Sequence, residues 1–170
     1  MKVHNGMRPQ DVVILLKIIA LDGREWQQRD ISQQVFMSFS EVSESLNRSM
    51  IAGLIDHKKR NVYRQALMEF LEHGLHYVFP QQAGTLVTGM ATAHSHPNYK
   101  KTILSEMPFV WPFTDGQDRG LAIQPLYRTV PQACQLDEKL YLLLASCDII
   151  RVGKVREQKL AVERLKGILL

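Results

Sequence analysis

A chain of 170 residues with 45% hydrophobic residues can bury a core without staples, and its two cysteines, Cys134 and Cys147, have neither the number nor the spacing of a disulfide framework or a four-thiolate metal site. The formal charge of +4 is thinly spread, at ten basic against nine acidic residues over 1–79, four against three over 80–135 and seven against five over 136–170. That distribution excludes nucleic-acid binding by bulk electrostatics alone and leaves it to shape and local patterning.

The first apolar run, VVILLKIIA at 12–20, is too short to cross a bilayer and is broken by Lys17, so the expectation is a cytoplasmic protein with no membrane contact and no export signal. It reads instead as a helix. Pro9 suits a first helical position, Val12, Val13, Leu15, Leu16, Ile19 and Ala20 form a broad apolar face, and Gly23 can close the element. A short second helix is predicted across Gln28 to Phe36, with Ile31 and Val35 four apart. Ser38 and Glu41 then have the spacing of a capping box, in which hydroxyl and carboxylate each accept from the other's backbone amide. The helix they open turns Val42, Leu46 and Ile51 or Met50 inward and lines its other side with Ser40, Glu41, Ser43, Glu44, Asn47 and Arg48, ending at Gly53. After the turn DHKKR, Asn61 is a candidate cap for a further helix carrying Val62, Ala66, Leu67, Phe70 and Leu71, closed by Gly74.

Three successive helices, with a short second one and a tight turn into a third of small polar outer residues, describe a helix-turn-helix. A recognition helix must enter a major groove about 12 Å wide, which favours short hydrogen-bonding side chains on its outside. The stretch RDISQQVFMSFSEVSESLNRSMIAGLI resembles the recognition segment of bacterial winged-helix regulators of the MarR type, through Ser38, Ser40, Val42, Ser43, Leu46, Ala52, Gly53, Leu54 and Ile55. The resemblance covers about fifty residues. It implies a helix-turn-helix with a two-stranded wing, a homodimer, and operator recognition in double-stranded DNA by the helix from Phe39 to Ala52. By this analogy Ser40, Ser43, Asn47 and Arg48 contact the groove and Lys58, Lys59 and Arg60 contact phosphates. Two features depart from the pattern: five residues between Ile55 and Asn61 are too few for the usual wing hairpin, and Glu41 with Glu44 brings negative charge toward phosphates.

Residues 80–131 hold six of the seven prolines and the turn signals GTLVTG, SHPN and FTDGQDRG, which predict short strands and long loops. His94-Ser95-His96-Pro97 matches the first half of a JAMM-type zinc site, but Met107 stands where the completing acid belongs and QQAGTLVTGMATA supplies no carboxylate, so a turn is expected and no metal. GTLVTGMA has phosphate-loop glycine spacing without the lysine and hydroxyl, and Asp115-Gly116 is a hairpin signal between FVWPF and LAIQPLY. His73 and His76, at a helix end, need no ligand to explain them. Beyond residue 136 two helices are predicted to meet near Val152-Gly153, one with a stripe of Leu140, Leu143, Leu144, Cys147 and Ile150, the other with Leu160, Ala161, Leu165, Ile168 and Leu169. Such stripes serve dimerisation or internal docking equally well.

The chain is thus expected to be α+β and mainly α: a helix-turn-helix, winged-helix-like domain at 1–79, a loop-rich β segment at 80–135 and a C-terminal helical hairpin at 136–170. Its expected function is that of a sequence-specific, dimeric transcriptional regulator on an operator, with neither cofactor nor enzymatic activity. The alternative is an antitoxin-like module that binds a protein partner.

Overall fold

The computed structural model describes residues 5–170, an α+β chain, mainly helical, with a small three-stranded sheet. The N-terminal helices are α1 (Pro9–Ala20), α2 (Gln28–Val35) and α3 (Phe39–Ile51). Helix α1 starts at proline, and Asp11 turns back to accept from the Arg8 amide at 2.9 Å. From Gln10 to Ala20 every residue of α1 is buried, so the broad apolar face is in fact a helix covered all round. Helix α2 ends one residue before Phe36, which takes a left-handed φ of 56° and sets the turn into α3.

Only half of the predicted capping box forms. The Ser38 hydroxyl accepts from the Glu41 amide at 3.1 Å, but the Glu41 carboxylate accepts from Gln10 at 2.8 Å and from Arg48 at 3.3 Å instead of reaching back. A tertiary ion-pair cluster outcompetes the local bond. Val42 and Leu46 are buried as predicted, and Met50 rather than Ile51 turns toward the core.

The segment after α3 corrects two expectations. Leu54 to Tyr63 forms a short antiparallel hairpin, with Ile55 opposite Val62, Asp56 donating to the Asn61 carbonyl at 3.0 Å and Tyr63 donating to that of Leu54 at 2.9 Å. Five residues suffice because Lys59 adopts φ 56° and the Asp56 carboxylate gathers the turn, accepting from the Arg60 amide at 2.7 Å and from the Asn61 side chain at 2.8 Å. Asn61 therefore organises the hairpin and caps no helix; α4 (Arg64–His73) begins after Tyr63. Gly74 closes α4 as expected, its amide donating to the Phe70 carbonyl, and the short α5 (Leu75–Val78) follows at once.

The middle segment contributes β1 (Leu86–Ala91), β2 (Phe109–Pro112) and β3 (Asp118–Ala122), closed on one another: β1 runs antiparallel to both β2 and β3, which pair parallel. The two strands around Asp115-Gly116 therefore do not form the expected hairpin; each takes its antiparallel partner from β1. Closure this tight brings backbones together. A Cβ on Gly89 would lie 1.9 Å from the Trp111 carbonyl oxygen, and one on Gly116 would lie 2.2 Å from the Gly89 backbone.

After α6 (Val130–Gln135), the hairpin of α7 (Glu138–Val152) and α8 (Val155–Leu169) completes the chain. Helix α7 is buried continuously from Leu143 to Arg151 and packs against α1, α4, α5, α6 and α8. Its polar residues are spent internally. The Asp148 carboxylate accepts from Trp111 Nε1 at 2.6 Å, Thr92 Oγ1 at 2.7 Å and Arg151 at 2.8 Å, and Arg151 also donates to the Phe79 and Gln124 carbonyls. Burial nevertheless pushes the Asp148 carboxyl above the usual carboxylate range, against the pull of Arg151 and the two other donors. Lys17 and Asp137, 2.6 Å apart, pin α1 to the start of α7. One cluster of buried side chains runs from Val12 through Trp111 to Leu169, joining all three regions of the sequence. Among the described residues no helix is long and apolar enough to cross a membrane.

Candidate nucleic-acid interface

Helix α3 packs on α1 and α2 through Val42, Ser45, Leu46 and Ser49, which leaves a face one helical turn in period running Ser40, Ser43 and Glu44, Asn47, Ile51. Ser40, Glu44 and Ile51 are exposed, and Ser43 and Asn47 are half-buried. Phe39 opens the helix at 57% exposure and Phe36 precedes it at 37%, so this face is not uniformly polar. The small-residue outside predicted for the third helix is present at Ser40, Ser43 and Asn47.

Arg48 is not part of that face. Its guanidinium grips Asp11 with Nε at 3.0 Å and Nη2 at 2.7 Å from the two carboxylate oxygens, and Asp11 itself has no exposed side-chain surface. The hydrogen bonds that Arg48 donates to Asp11 raise the Arg48 pKa further above its already high ordinary value, and the bond from Gln10, with help from Arg48, holds Glu41 below the usual carboxylate range. Of the two acids that departed from the DNA-binding pattern, Glu41 is thus engaged with α1 and the Arg48 cation.

The basic run sits on the hairpin turn. Lys58 is exposed, Lys59 half-buried, and Arg60 folds back so that its guanidinium donates to the Trp26 carbonyl and lies 5.0 Å from the centre of the Trp26 ring. Arg60 thereby ties the hairpin to the loop between α1 and α2. Hydrogen bonds from the Arg60 and Asn61 groups hold the Asp56 carboxyl below its ordinary value, so the turn carries one fixed anion beside its cations. Between this hairpin and the end of α1 lies an open cleft of about 700 Å3, with Trp26, Arg24, Arg60 and Arg64 on its walls.

The two histidines of HSHP are structural in position. His94 Nε2 donates to the Met107 carbonyl at 3.1 Å and the ring packs on Phe109 at 4.3 Å; His96 Nδ1 accepts from the Asn98 amide at 3.1 Å and the ring sits 4.1 Å from that of Tyr141. Among the described residues no three of His, Cys, Asp and Glu come together as a metal ion would require. His76 Nδ1 donates to the Arg151 carbonyl at 3.1 Å, and both cysteines are buried free thiols, pushed up by burial.

Sequence reading missed the Asp11–Arg48 pair because its partners lie 37 residues apart and nothing local links them. It could have found Trp26, the one aromatic in the polar loop between the first two helices and the natural platform for a nearby cation. No protein-family model, curated protein or solved structure matches the chain.

Proposed function

We propose that this chain is a double-stranded-DNA-binding transcriptional regulator of winged-helix type, similar to the bacterial MarR group, with α3 as recognition helix and the 54–63 hairpin as a short wing. The observation that carries the reading is the open small-residue face of α3, Ser40, Ser43 and Asn47, with Lys58 and Lys59 on the adjoining hairpin. These side chains are short enough to follow a helix into the major groove, and Asn47 can pair with adenine. Lys58 and Lys59 supply phosphate contacts, Arg60 adds one while it braces the wing, and Arg48 acts by fixing α3 on α1 rather than by reading bases. The protein would work in the cytoplasm as a homodimer on a two-fold operator. Its dimer interface must lie outside the apolar stripes of α7 and α8, because Leu140, Leu143, Leu144, Ala161, Leu165 and Leu169 are covered within the chain. Selection of bound sequences from random duplexes, repeated with Asn47→Ala, tests the reading. A consensus enriched by the wild type and altered at one position in the variant is expected, and no enrichment by either protein overturns it.

A second reading is favoured by Phe36, Phe39 and Ile51, whose exposure on or beside the same face suits an apolar protein partner, as in an antitoxin-like module. Stoichiometric capture of one protein through that face, lost in Phe39→Ser, without any duplex bound, would select it.

A further inference from the structure

The 54–63 hairpin is a two-stranded ribbon closed by one bridge, Ile55 opposite Val62, and a ribbon of that kind is marginally stable by itself. Its base is fixed, since Leu54 and Ile55 are buried and Val62 packs on the core. Its tip has fewer anchors. The Asp56 carboxylate spends its bonds inside the turn, on the Arg60 amide and on Asn61, and Lys58 and Lys59 form no ion pair with a described residue. Among the described residues, the one side-chain hydrogen bond that leaves the stretch from Asp56 to Asn61 runs from Arg60 to the Trp26 carbonyl. The same guanidinium lies 5.0 Å from the centre of the Trp26 ring.

What Arg60 holds is firmer than the hairpin itself. The Trp26 ring is half-buried and packs against the core. The loop that carries it is pinned on both sides: Arg24 donates to the Leu21 carbonyl from its backbone amide at 3.2 Å and from Nε at 2.9 Å, and the Gln27 amide donates to Asp30 at 2.7 Å where α2 begins. One residue thus offers the guanidinium both a carbonyl and a ring face. Because Asp56 makes the turn rigid within itself, holding Arg60 also holds Lys58 and Lys59. We propose that Trp26 is a positioning residue of the proposed DNA interface: through Arg60 it sets the angle at which Lys58 and Lys59 meet phosphates. This rests on the reading of that surface as a DNA interface, and adds to it a residue that acts without touching the duplex.

The indole carries no charge, so a change in the salt dependence of binding on its substitution comes through the cations that it places. The test measures binding to the duplex enriched by the wild type, from low to moderate salt, for the wild type, Trp26→Leu and Trp26→Phe, each with and without Lys58→Gln. Trp26→Leu keeps the backbone carbonyl and an apolar side chain but no ring face. It should bind several-fold more weakly with a salt slope shallower by about 0.9 or more, and adding Lys58→Gln should change that slope no further, whereas the same substitution in the wild type makes it shallower by about 0.9. Trp26→Phe, which restores an aromatic face to the guanidinium, should recover most of the slope. Trp26 is only half-buried, so the variants keep the fold, which circular dichroism and urea unfolding check. A tryptophan with a purely structural role would lower the urea midpoint and leave the slope of the folded protein as it was. That result, beside a wild-type slope that responds to Lys58→Gln, overturns the proposal and leaves the DNA reading standing. Absence of duplex binding by the wild type overturns both.

Discussion

Replacing Arg48 by methionine removes a cation of similar length and leaves the Asp11 carboxylate, with no exposed side-chain surface, facing no opposite charge at hydrogen-bond distance. Breaking a buried pair from one side costs about 3–5 kcal/mol, because the remaining charge cannot regain its water. With a urea slope near 2 kcal/mol/M, the unfolding midpoint should fall by roughly 1.5–2.5 M. Asp11→Asn keeps an oxygen for the Arg8 amide and so isolates the charge. Combined with Arg48→Met, it should recover much of the loss, since neither charge then remains buried, giving a coupling of about 2 kcal/mol or more in the double-mutant cycle. Equilibrium urea unfolding of the wild type, both single variants and the double variant reads all four corners. A single-variant cost below about 1 kcal/mol, or a coupling near zero, would refute the reasoning and return Arg48 to the solvent. The folded double variant has a second use. Its DNA binding separates the roles by salt dependence: a lost phosphate contact makes the slope shallower by about 0.9, whereas a lost anchor of α3 leaves the slope unchanged.

Burial, reinforced by the nearby Arg164 charge, pulls His96 from 6.5 down to about 4, so the unfolded chain takes up a proton there that the folded one refuses. That contribution to stability is whole above about pH 6.5 and is lost as pH falls toward 4. Asp148, raised by burial, has the opposite slope, so the informative comparison is wild type against His96→Gln: urea midpoints at pH 7 and 4.5 should diverge, and equal losses would contradict the account. Trp111→Phe removes one of three donors to the Asp148 carboxylate and should cost about 1–3 kcal/mol by thermal unfolding, whereas no change would mean that the indole bond is not made. Gly89→Ala places a methyl against the Trp111 carbonyl and should cost about 3 kcal/mol or more, while Gly167→Ala, with open space around it in α8, should gain up to about 1 kcal/mol. Equal effects of these two substitutions in urea unfolding would mean that the small barrel is looser than described.

The helical parts were legible because their signals are local. Pro9, the Ser38 cap and the 3.6-residue spacing of Val42 and Leu46 specify their elements from within a turn or two of chain. The same locality explains the misses. Capping-box spacing assigns Glu41 to its own helix N-terminus, yet Gln10 and Arg48 take its carboxylate, and no pattern in the sequence ties residue 10 to residue 41. The hairpin after α3 depended on a left-handed Lys59 and on Asp56 reaching four and five residues ahead, a geometry that a residue count alone judged too short. Pairing in the small sheet is set by closure of three strands, which glycines at 89 and 116 permit but do not announce. For the candidate interface, Ser40, Ser43 and Asn47 could be read from helical phase, whereas the diversion of Arg48 required its partner 37 residues away.

Binding of the full chain to an enriched duplex, followed by fluorescence anisotropy between 50 and 200 mM salt, tests the proposed function most directly. If the Lys58–Lys59 turn meets phosphates, log K should fall linearly with log salt, and Lys58→Gln should make the slope shallower by about 0.9. A flat response, or a slope indifferent to Lys58, would contradict the assignment of this surface to DNA.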